Sequence, residues 1–392
     1  MKIKSITQAK NLSQARVLVR CDFNVPIKNG RVVDDFKIKK TLPTIVYLLQ
    51  KKAKVILTSH LGRPDGKFSE QYSLKPVANY LKNALAQKVE LVSLNDLDNV
   101  DGHFKPTKFG QVIMLENTRF NAGEKKNSKE FAKKLASIAD IFVVECFGVA
   151  HRIHASIVGP AKYLPTYAGL LAEKEILGLS KAIVKPKKPF VVVLGGAKTE
   201  TKIPILKNLI KKADYILLGG GIVNTWMLAK GYEMGSSLAD KNMIRKVLYY
   251  SKKKKIIMPI DVVVGSVSGK KAMVKKITAD KKICSRNFGV YDIGPETVRM
   301  YAEYIKKANT IVWNGALGYF EQNPYQHGTY AIARLIASRS KGSAFGIAGG
   351  GETVEVLKKL HLLDDIDLVS TGGGAMLEFL SNKKLPGLKA IV

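Results

Sequence analysis

Residues 191–202 read VVVLGGAKTETK. Four apolar residues of strand type run into two glycines, and lysines then stand four apart at Lys198 and Lys202. A helix opening after Gly196 would put both ammonium groups on one face of its first turn. That end of a helix already carries partial positive charge, so each lysine there is disfavoured by roughly 0.3–1 kcal/mol unless an anion offsets it. Strand, glycine turn and helix read as one step of a parallel α/β sheet, in which ligands bind beyond the carboxyl ends of the strands.

The same pattern recurs on both sides of that stretch. Apolar, β-branched runs occur at Arg16–Arg20, Lys54–Thr58, Gln111–Leu115 and Ile141–Glu145, then at Phe190–Leu194, Tyr215–Leu218, Lys255–Pro259, Thr310–Trp313, Ala344–Ala348 and Asp367–Ser370. Period-3.6 stretches such as Glu296–Lys307 and Thr353–Leu360 fill the intervals. Continuously apolar strands alternating with helices predict two doubly wound, Rossmann-like parallel-sheet domains. Between the halves, Tyr167–Ile183 follows a helical pattern and Lys185–Pro189 suits neither helix nor strand, so a hinge helix and stiff linker are expected over 167–189. The domains then span 1–166 and 190–377.

Composition narrows the class. Among 392 residues, 64 basic and 32 acidic side chains leave a net charge of +32. The excess is spread along the chain in short runs such as Lys252–Lys255, without stripes interleaved with aromatics, so nucleic acid is disfavoured as the main partner. Anionic small molecules would still be drawn to such a field. Cys21, Cys146 and Cys284 lie far apart with no CxxC spacing, which suits a reducing cytoplasm and argues against structural zinc. No apolar run reaches the ~20 residues that span a bilayer.

Polar residues gather just after the strands. In the first half these are Asp22 and Asn24 (CDFNVP), His60 and Arg63 (TSHLGRPDG), Arg119 (LENTRF) and Arg152 (FGVAHRIHAS). Guanidinium forks match carboxylate and phosphate oxygens, so their convergence would hold a small, highly anionic, hydroxyl-bearing molecule. In the second half the strand ends are glycine-rich: Gly195-Gly196-Ala197-Lys198, Gly219-Gly220-Gly221, Asn314-Gly315, Gly349-Gly350-Gly351-Glu352 and Gly372-Gly373-Gly374. Glycine lets backbone N–H groups approach phosphate oxygens, and five such turns suggest a nucleotide cradle. Neither the GxxxxGK[ST] phosphate loop nor a helix-opening GxGxxG with its following acid is present, which disfavours P-loop NTPases and nicotinamide dehydrogenases. One half for a small acid, the other for a nucleotide, and no evident general base together imply a two-substrate kinase acting on a carboxylate or acyl phosphate, a reaction that needs positioning and charge neutralisation.

At these residues the chain resembles the phosphoglycerate kinases. The matching segments are VLVRCDFNVP, TSHLGRPDGK, LENTRF, AHRIHAS, LGGAKTETKI, LLGGGIVNT, DIGPETV, VWNGALGYFE, IAGGGETV and STGGGAMLEFL, in order from Val17 onward. The resemblance implies a cytoplasmic, monomeric enzyme that closes a hinge and reversibly transfers phosphoryl between 1,3-bisphosphoglycerate and ADP, giving 3-phosphoglycerate and ATP with Mg2+. It implies that Asp22, Asn24, Lys37, His60, Arg63, Arg119 and Arg152 hold 3-phosphoglycerate in the first domain. Lys198 would follow the moving phosphoryl group, Lys202 would bind nucleotide phosphate, and Gly372, Gly373 and Gly374 would serve the transition state. The nucleotide site would comprise Gly196, Ala197, Lys198, Lys202, Gly219, Gly220, Gly221, Asn314, Ala316, Glu321, Gly350, Gly351, Glu352 and Thr353, with Glu352 serving the metal. Residues 378–392 would return to the first domain.

Three positions depart from the family pattern. Lys37 in Asp34-Asp35-Phe36-Lys37-Ile38 stands where DxxRI carries arginine, and an ammonium cannot clamp two oxygens as a planar fork does. Asn314-Gly315-Ala316 replaces NGP, with bulky Tyr319 nearby, and GGGE ending at Glu352 replaces GGGD. These departures leave ATP versus GTP preference open. They also motivate a second reading, a family member of weakened catalysis that binds metabolites or nucleic acid.

Overall fold

The computed structural model describes residues 2–99, 102, 104, 108 and 111–392. Two compact units divide the chain, one comprising the residues up to Leu177 together with Lys384–Val392, the other Gly178–Lys383.

Unit 1 runs β1 (Arg16–Cys21), a small hairpin of β2 (Ile27–Lys28) and β3 (Arg31–Val32), α1 (Phe36–Gln50), β4 (Lys54–Thr58), α2 (Lys75–Leu85), β5 (Val89–Val92), β6 (Val112–Leu115), α3 (Lys129–Ser137), β7 (Ile141–Glu145), α4 (Ala155–Val158), β8 (Thr166–Ala168) and the first half of α5 (Leu170–Val184), whose second half belongs to unit 2. Six of the strands form one parallel sheet ordered β5-β6-β4-β1-β7-β8. Its central strands are buried on both faces, as their uninterrupted apolar runs require. Local signals set several boundaries. Ser128 caps α3 by accepting the Phe131 N–H, and Pro76 opens the first turn of α2, where its missing N–H costs nothing.

The predicted helix over Tyr167–Ile183 begins later than the pattern suggested. Its first residues are edge strand β8, held by Ala168 N–H donating to Lys4 O at 2.7 Å. The helix starts at Leu170 because unrelated elements cap it. Thr44 Oγ1 accepts the Leu170 N–H, and the Glu145 carboxylate accepts those of Leu171 and Ala172. Burial pushes that carboxyl up to about 7 even so.

Unit 2 contains β9 (Phe190–Leu194), α6 (Thr199–Leu209), β10 (Tyr215–Leu218), α7 (Gly220–Ala229), β11 (Glu233–Met234), α8 (Ile244–Ser251), β12 (Ile256–Ile257), β13 (Asp261–Gly265), β14 (Met273–Lys276), β15 (Lys282–Cys284), β16 (Gly289–Ile293), α9 (Pro295–Lys307), β17 (Thr310–Asn314), α10 (His327–Lys341), β18 (Phe345–Gly349), α11 (Gly351–Lys359), β19 (Leu368–Ser370) and α12 (Gly373–Leu380). Its main sheet is parallel and ordered β12-β10-β9-β17-β18-β19. The chain order reverses between β9 and β17, the position where doubly wound sheets open a ligand crevice. An antiparallel sheet, β14-β13-β16, which the sequence reading did not anticipate, adds a side wall. After α12 the chain rejoins unit 1 from Lys384, where Gly387 N–H donates to Ala150 O at 2.8 Å and Ile391 O accepts from Lys4 N–H.

Candidate functional site

In unit 1, four strand ends deliver their polar residues to one place. Ser59, following β4, accepts the Phe23 N–H beyond β1 at 2.8 Å, and its carbonyl accepts the Thr118 N–H beyond β6 at 3.0 Å. Asn117 locks the loops further. Its Oδ1 accepts from Leu61 and Arg119 N–H, while Nδ2 donates to Leu61 O and Tyr72 O. Asn24 Oδ1 accepts the Gly62 N–H at 3.0 Å, so that oxygen organises the loop. Asp22 Oδ2 accepts from Lys37 Nζ at 2.8 Å, pairing two of the predicted site residues with each other.

The cluster is strongly cationic. His60 is buried, and its pKa lies well below 6.5, first because of burial and then because Arg20, Arg119, Arg152 and Lys37 oppose a further charge. It is therefore a neutral imidazole near pH 7. Arg20 Nη2 lies 3.4 Å from His60 Nδ1, and since a guanidinium only donates, Nδ1 accepts and Nε2 carries the proton. That Nε2–H and Arg119 Nε are buried with no partner among the described residues. Arg119, itself buried, is lowered to about 10 by burial and by Arg152 and Arg20, and Arg152 is lowered mainly by burial. Arg63 is exposed. Unmatched buried donors among several guanidiniums form a site prepared for an anion.

Arg20 and Glu124 escaped the sequence reading. Arg20 Nε donates to Ser156 Oγ at 2.7 Å, and its Nη1 donates to Cys21 O. Glu124 is wholly buried and accepts from Ser156 N–H at 2.9 Å, Ser156 Oγ at 2.6 Å and Thr118 Oγ1 at 3.3 Å. It stands 3.9 Å from Arg20 and 3.8 Å from His154. One buried carboxylate thus ties together the loops that bear Arg119 and Arg152. A usable signal existed for Arg20, a charge inside the apolar run VLVRC; Glu124 offered none.

In unit 2, the glycine turns do something other than expected. Gly196 N–H donates to Ala316 O, Gly220 N–H to Leu317 O and Gly221 N–H to Gly196 O, so these amides are occupied within the protein. The glycines instead allow the strand-end loops to interlock: a Cβ on Gly221 would sit 2.5 Å from Ala197 O. Gly372 N–H likewise donates to Ser370 Oγ. Helix geometry leaves the leading N–H groups of α11, at Gly351, Glu352 and Thr353, and of α12, at Gly373 and Gly374, without intrahelical partners.

The lysines differ from each other. Helix α6 opens at Thr199, so Lys198 is its flanking residue and is exposed, whereas Lys202 is buried. Lys202 Nζ donates to Asn314 Oδ1, and burial lowers its pKa while Glu352 opposes that shift. Asn314 Nδ2 donates to Gly349 O at 2.6 Å, Gly315 N–H to Thr353 Oγ1 at 2.7 Å and Ala316 N–H to Glu352 Oε2 at 3.2 Å. Lys202, Asn314, Glu352 and Thr353 therefore meet where the strand order reverses. From there a cavity of about 400 Å³ extends past Gly196, Ala197, Gly220, Gly221 and Ala316 to walls made by Leu238, Val262, Val267 and Val290. Tyr319 and Glu321 also line it, Tyr319 41% exposed. The valines come from the antiparallel sheet and its loop, and no sequence motif marked them.

Among the described residues no group of three or more His, Cys, Asp or Glu could hold a metal ion, and no helix is long and apolar enough to cross a membrane. The phosphoglycerate kinase family model matches residues 6–383. A phosphoglycerate kinase of Pseudothermotoga lettingae is 46% identical over 389 residues, 97% of this chain and 96% of that protein. One of Borreliella afzelii is 42% identical over the full length of both. Among solved structures, the phosphoglycerate kinase of Coxiella burnetii is 41% identical with a TM-score of 0.87, covering 99% of this chain and 98% of its own. That of Pyrococcus horikoshii, at 32% identity, gives 0.85 over the same shares. Two parallel-sheet units, one with a cluster of guanidiniums beyond its strand ends and one with a crevice at its strand reversal, agree with these matches, and the chain belongs to the phosphoglycerate kinase family.

Proposed function

We propose that the chain carries out its family's reaction, reversible phosphoryl transfer between 1,3-bisphosphoglycerate and ADP, with the small acid on unit 1 and the nucleotide on unit 2. The observation that carries this reading is the cationic cluster of unit 1, where neutral His60 and the Arg119 guanidinium each keep a buried, unmatched donor beside Arg20 and Arg152. Such donors suit the carboxylate, hydroxyl and phosphate oxygens of 3-phosphoglycerate, with exposed Asn24 and Arg63 and buried Asp22 completing that set. In the ATP-consuming direction a carboxylate oxygen of 3-phosphoglycerate attacks the γ-phosphorus, and the bond from that phosphorus to the ADP oxygen breaks. The attacking group is already ionised at neutral pH, so no general base is required.

Each residue then acts by position and charge. Lys37 neutralises charge near the acceptor. Lys202 and Asn314 meet nucleotide phosphates, Lys198 is exposed and able to follow the transferred group, and the leading amides of α11 and α12 stabilise oxygens as charge develops. Glu321 faces the ribose at the cavity mouth. Magnesium is held in such kinases by one or two carboxylates plus substrate phosphates, and the lone Glu352 carboxylate beside Gly196 and Lys202 fits that donor set. When bound it supplies charge neutralisation of the phosphates.

The test is a coupled assay of ATP-dependent phosphorylation of 3-phosphoglycerate by the folded protein with magnesium, repeated with GTP. Turnover above background is the expected result. Folded protein inert with both nucleotides overturns the assignment.

A further inference from the structure

Resting on that reading of unit 2, we infer that Asn224 makes the nucleotide cavity selective for a base bearing a hydrogen-bond donor at its 6-position, adenine over guanine. The cavity has two chemically distinct ends. Gly196, Ala197, Gly220 and Glu352 form the polar end at the strand reversal, and Leu238, Val262, Val267 and Val290 form an apolar end of the kind that accepts a flat ring. Asn224 lies one turn into α7 and belongs to the apolar end, because its Nδ2 donates to the Val290 main-chain oxygen at 3.3 Å.

That bond fixes the amide. A carbonyl oxygen only accepts, so the atom facing Val290 is nitrogen and the remaining polar atom is the acceptor Oδ1. Among the described residues no donor is bonded to Oδ1, and Asn224 is 93% buried, with 7% of its surface exposed. The acceptor of this largely buried side chain is therefore left open to the cavity, beside a mainly apolar wall. Adenine offers an amino donor at its 6-position, whereas guanine offers a carbonyl oxygen there that would meet Oδ1 acceptor to acceptor. A site built to accept a hydrogen bond rejects the ligand that lacks the donor, because its own buried atom is left unpaired.

Among the other polar side chains that line the cavity, Asp292 and Ser236 carry no such preference. Asp292 already accepts from Gly328 N–H at 2.7 Å and Ile293 N–H at 2.9 Å. Ser236 is exposed, and its hydroxyl can rotate to donate or accept.

Calorimetric Kd values for ADP, GDP and the diphosphate of unsubstituted purine riboside test this without relying on turnover. In the unaltered protein ADP should bind up to about tenfold more tightly than the purine analogue, which has no 6-substituent, and more tightly still than GDP. Asn224→Ala should bring the three affinities together, while Ser236→Ala should leave their ratios in place. Equal binding of ADP and the purine analogue by the unaltered protein overturns the inference and needs no variant. So does an ADP-to-GDP ratio unmoved in Asn224→Ala. Because binding is read apart from catalysis, absence of turnover would sink the kinase assignment while leaving these ratios to be decided separately.

Discussion

On the reading proposed above, the two units would hold anions by opposite means. Unit 1 gathers permanent side-chain charge: Arg20, Arg119 and Arg152 crowd neutral His60, and the buried carboxylates of Asp22 and Glu124 keep that crowding tolerable. Unit 2 relies on main-chain shape, with interlocked glycine turns, helix N-termini and a single buried ammonium at Lys202. The difference teaches that a basic pocket is expensive to fold and must carry its own counter-charges, whereas a backbone site needs space. Mutations should therefore separate the two: charge removal in unit 1 should damage stability, and in unit 2 it should damage rate.

The sharpest separation is at the two carboxylates. Glu124→Gln keeps shape and removes the charge that faces Arg20 and His154, and breaking such a buried pairing costs about 3–5 kcal/mol. Denaturant unfolding should register that loss. Glu352→Gln, at a site with no resident buried guanidinium, should change stability by less than about 1 kcal/mol. Similar losses in both would erase the contrast between the units.

Lys202→Met probes the other side. Burial lowers the pKa of this ammonium, so its charge is costly in the free protein and its removal should leave stability level or higher. The rate should suffer instead. Deleting one preorganised group aimed at developing charge typically lowers kcat by about 10²–10³. A variant that turns over normally but melts early would place Lys202 among structural residues.

How much of this was legible in the sequence follows from where the causes lie. Strands such as Lys54–Thr58, Ile141–Glu145 and Phe190–Leu194 have the bounds their apolar runs indicate, because burial on both faces leaves no other reading. Residues after the strands were findable for the same reason: the architecture dictates where ligands bind. What stayed hidden depends on partners distant in the chain. Thr44 and Glu145 decide where α5 begins, Glu124 binds loops from Thr118 to Ser156, and Val262, Val267 and Val290 reach the cavity from an inserted sheet. The glycines were legible as turns but not in role, since only the fold reveals that Gly196, Gly220 and Gly221 amides are already spoken for.

The cationic pocket also predicts a pH response. An unfolded chain takes up a proton on His60 near the ordinary value of 6.5, and the folded pocket refuses it. Between the lowered folded value and 6.5 the unfolded state binds more protons, so stability falls as pH drops below 6.5, by up to about 1.4 kcal/mol per pH unit for this group. His154, lowered to about 4, adds in the same direction, while Glu145, raised to about 7, opposes both between 4.5 and 7. Comparing the protein with His60→Gln isolates the first contribution. The stability difference between them should shrink as pH falls from 6.5, and an NMR titration should find the His60 ring neutral at pH 6. A ring that titrates at 6.5 would mean the arginines do not crowd it as described.

The smallest effect concerns the cation that departs from the family pattern. Lys37 Nζ is 2.8 Å from Asp22 Oδ2 and 28% exposed, so its one compact charge is already directed at a carboxylate of its own unit. An arginine there could keep Asp22 with one nitrogen and offer a second, parallel donor to a substrate oxygen. One added charge-assisted hydrogen bond made in the transition state raises kcat by up to about tenfold, and a geometry less than ideal would give only a few-fold gain. Because Asp22 stays paired, Lys37→Arg should leave the melting temperature unchanged, which distinguishes it from Glu124→Gln on the same unit. Steady-state rates at saturating ATP and 3-phosphoglycerate decide the matter: a rate that holds level or drops in Lys37→Arg would mean that the lone ammonium already meets the need for charge at that position, and that the fork adds nothing.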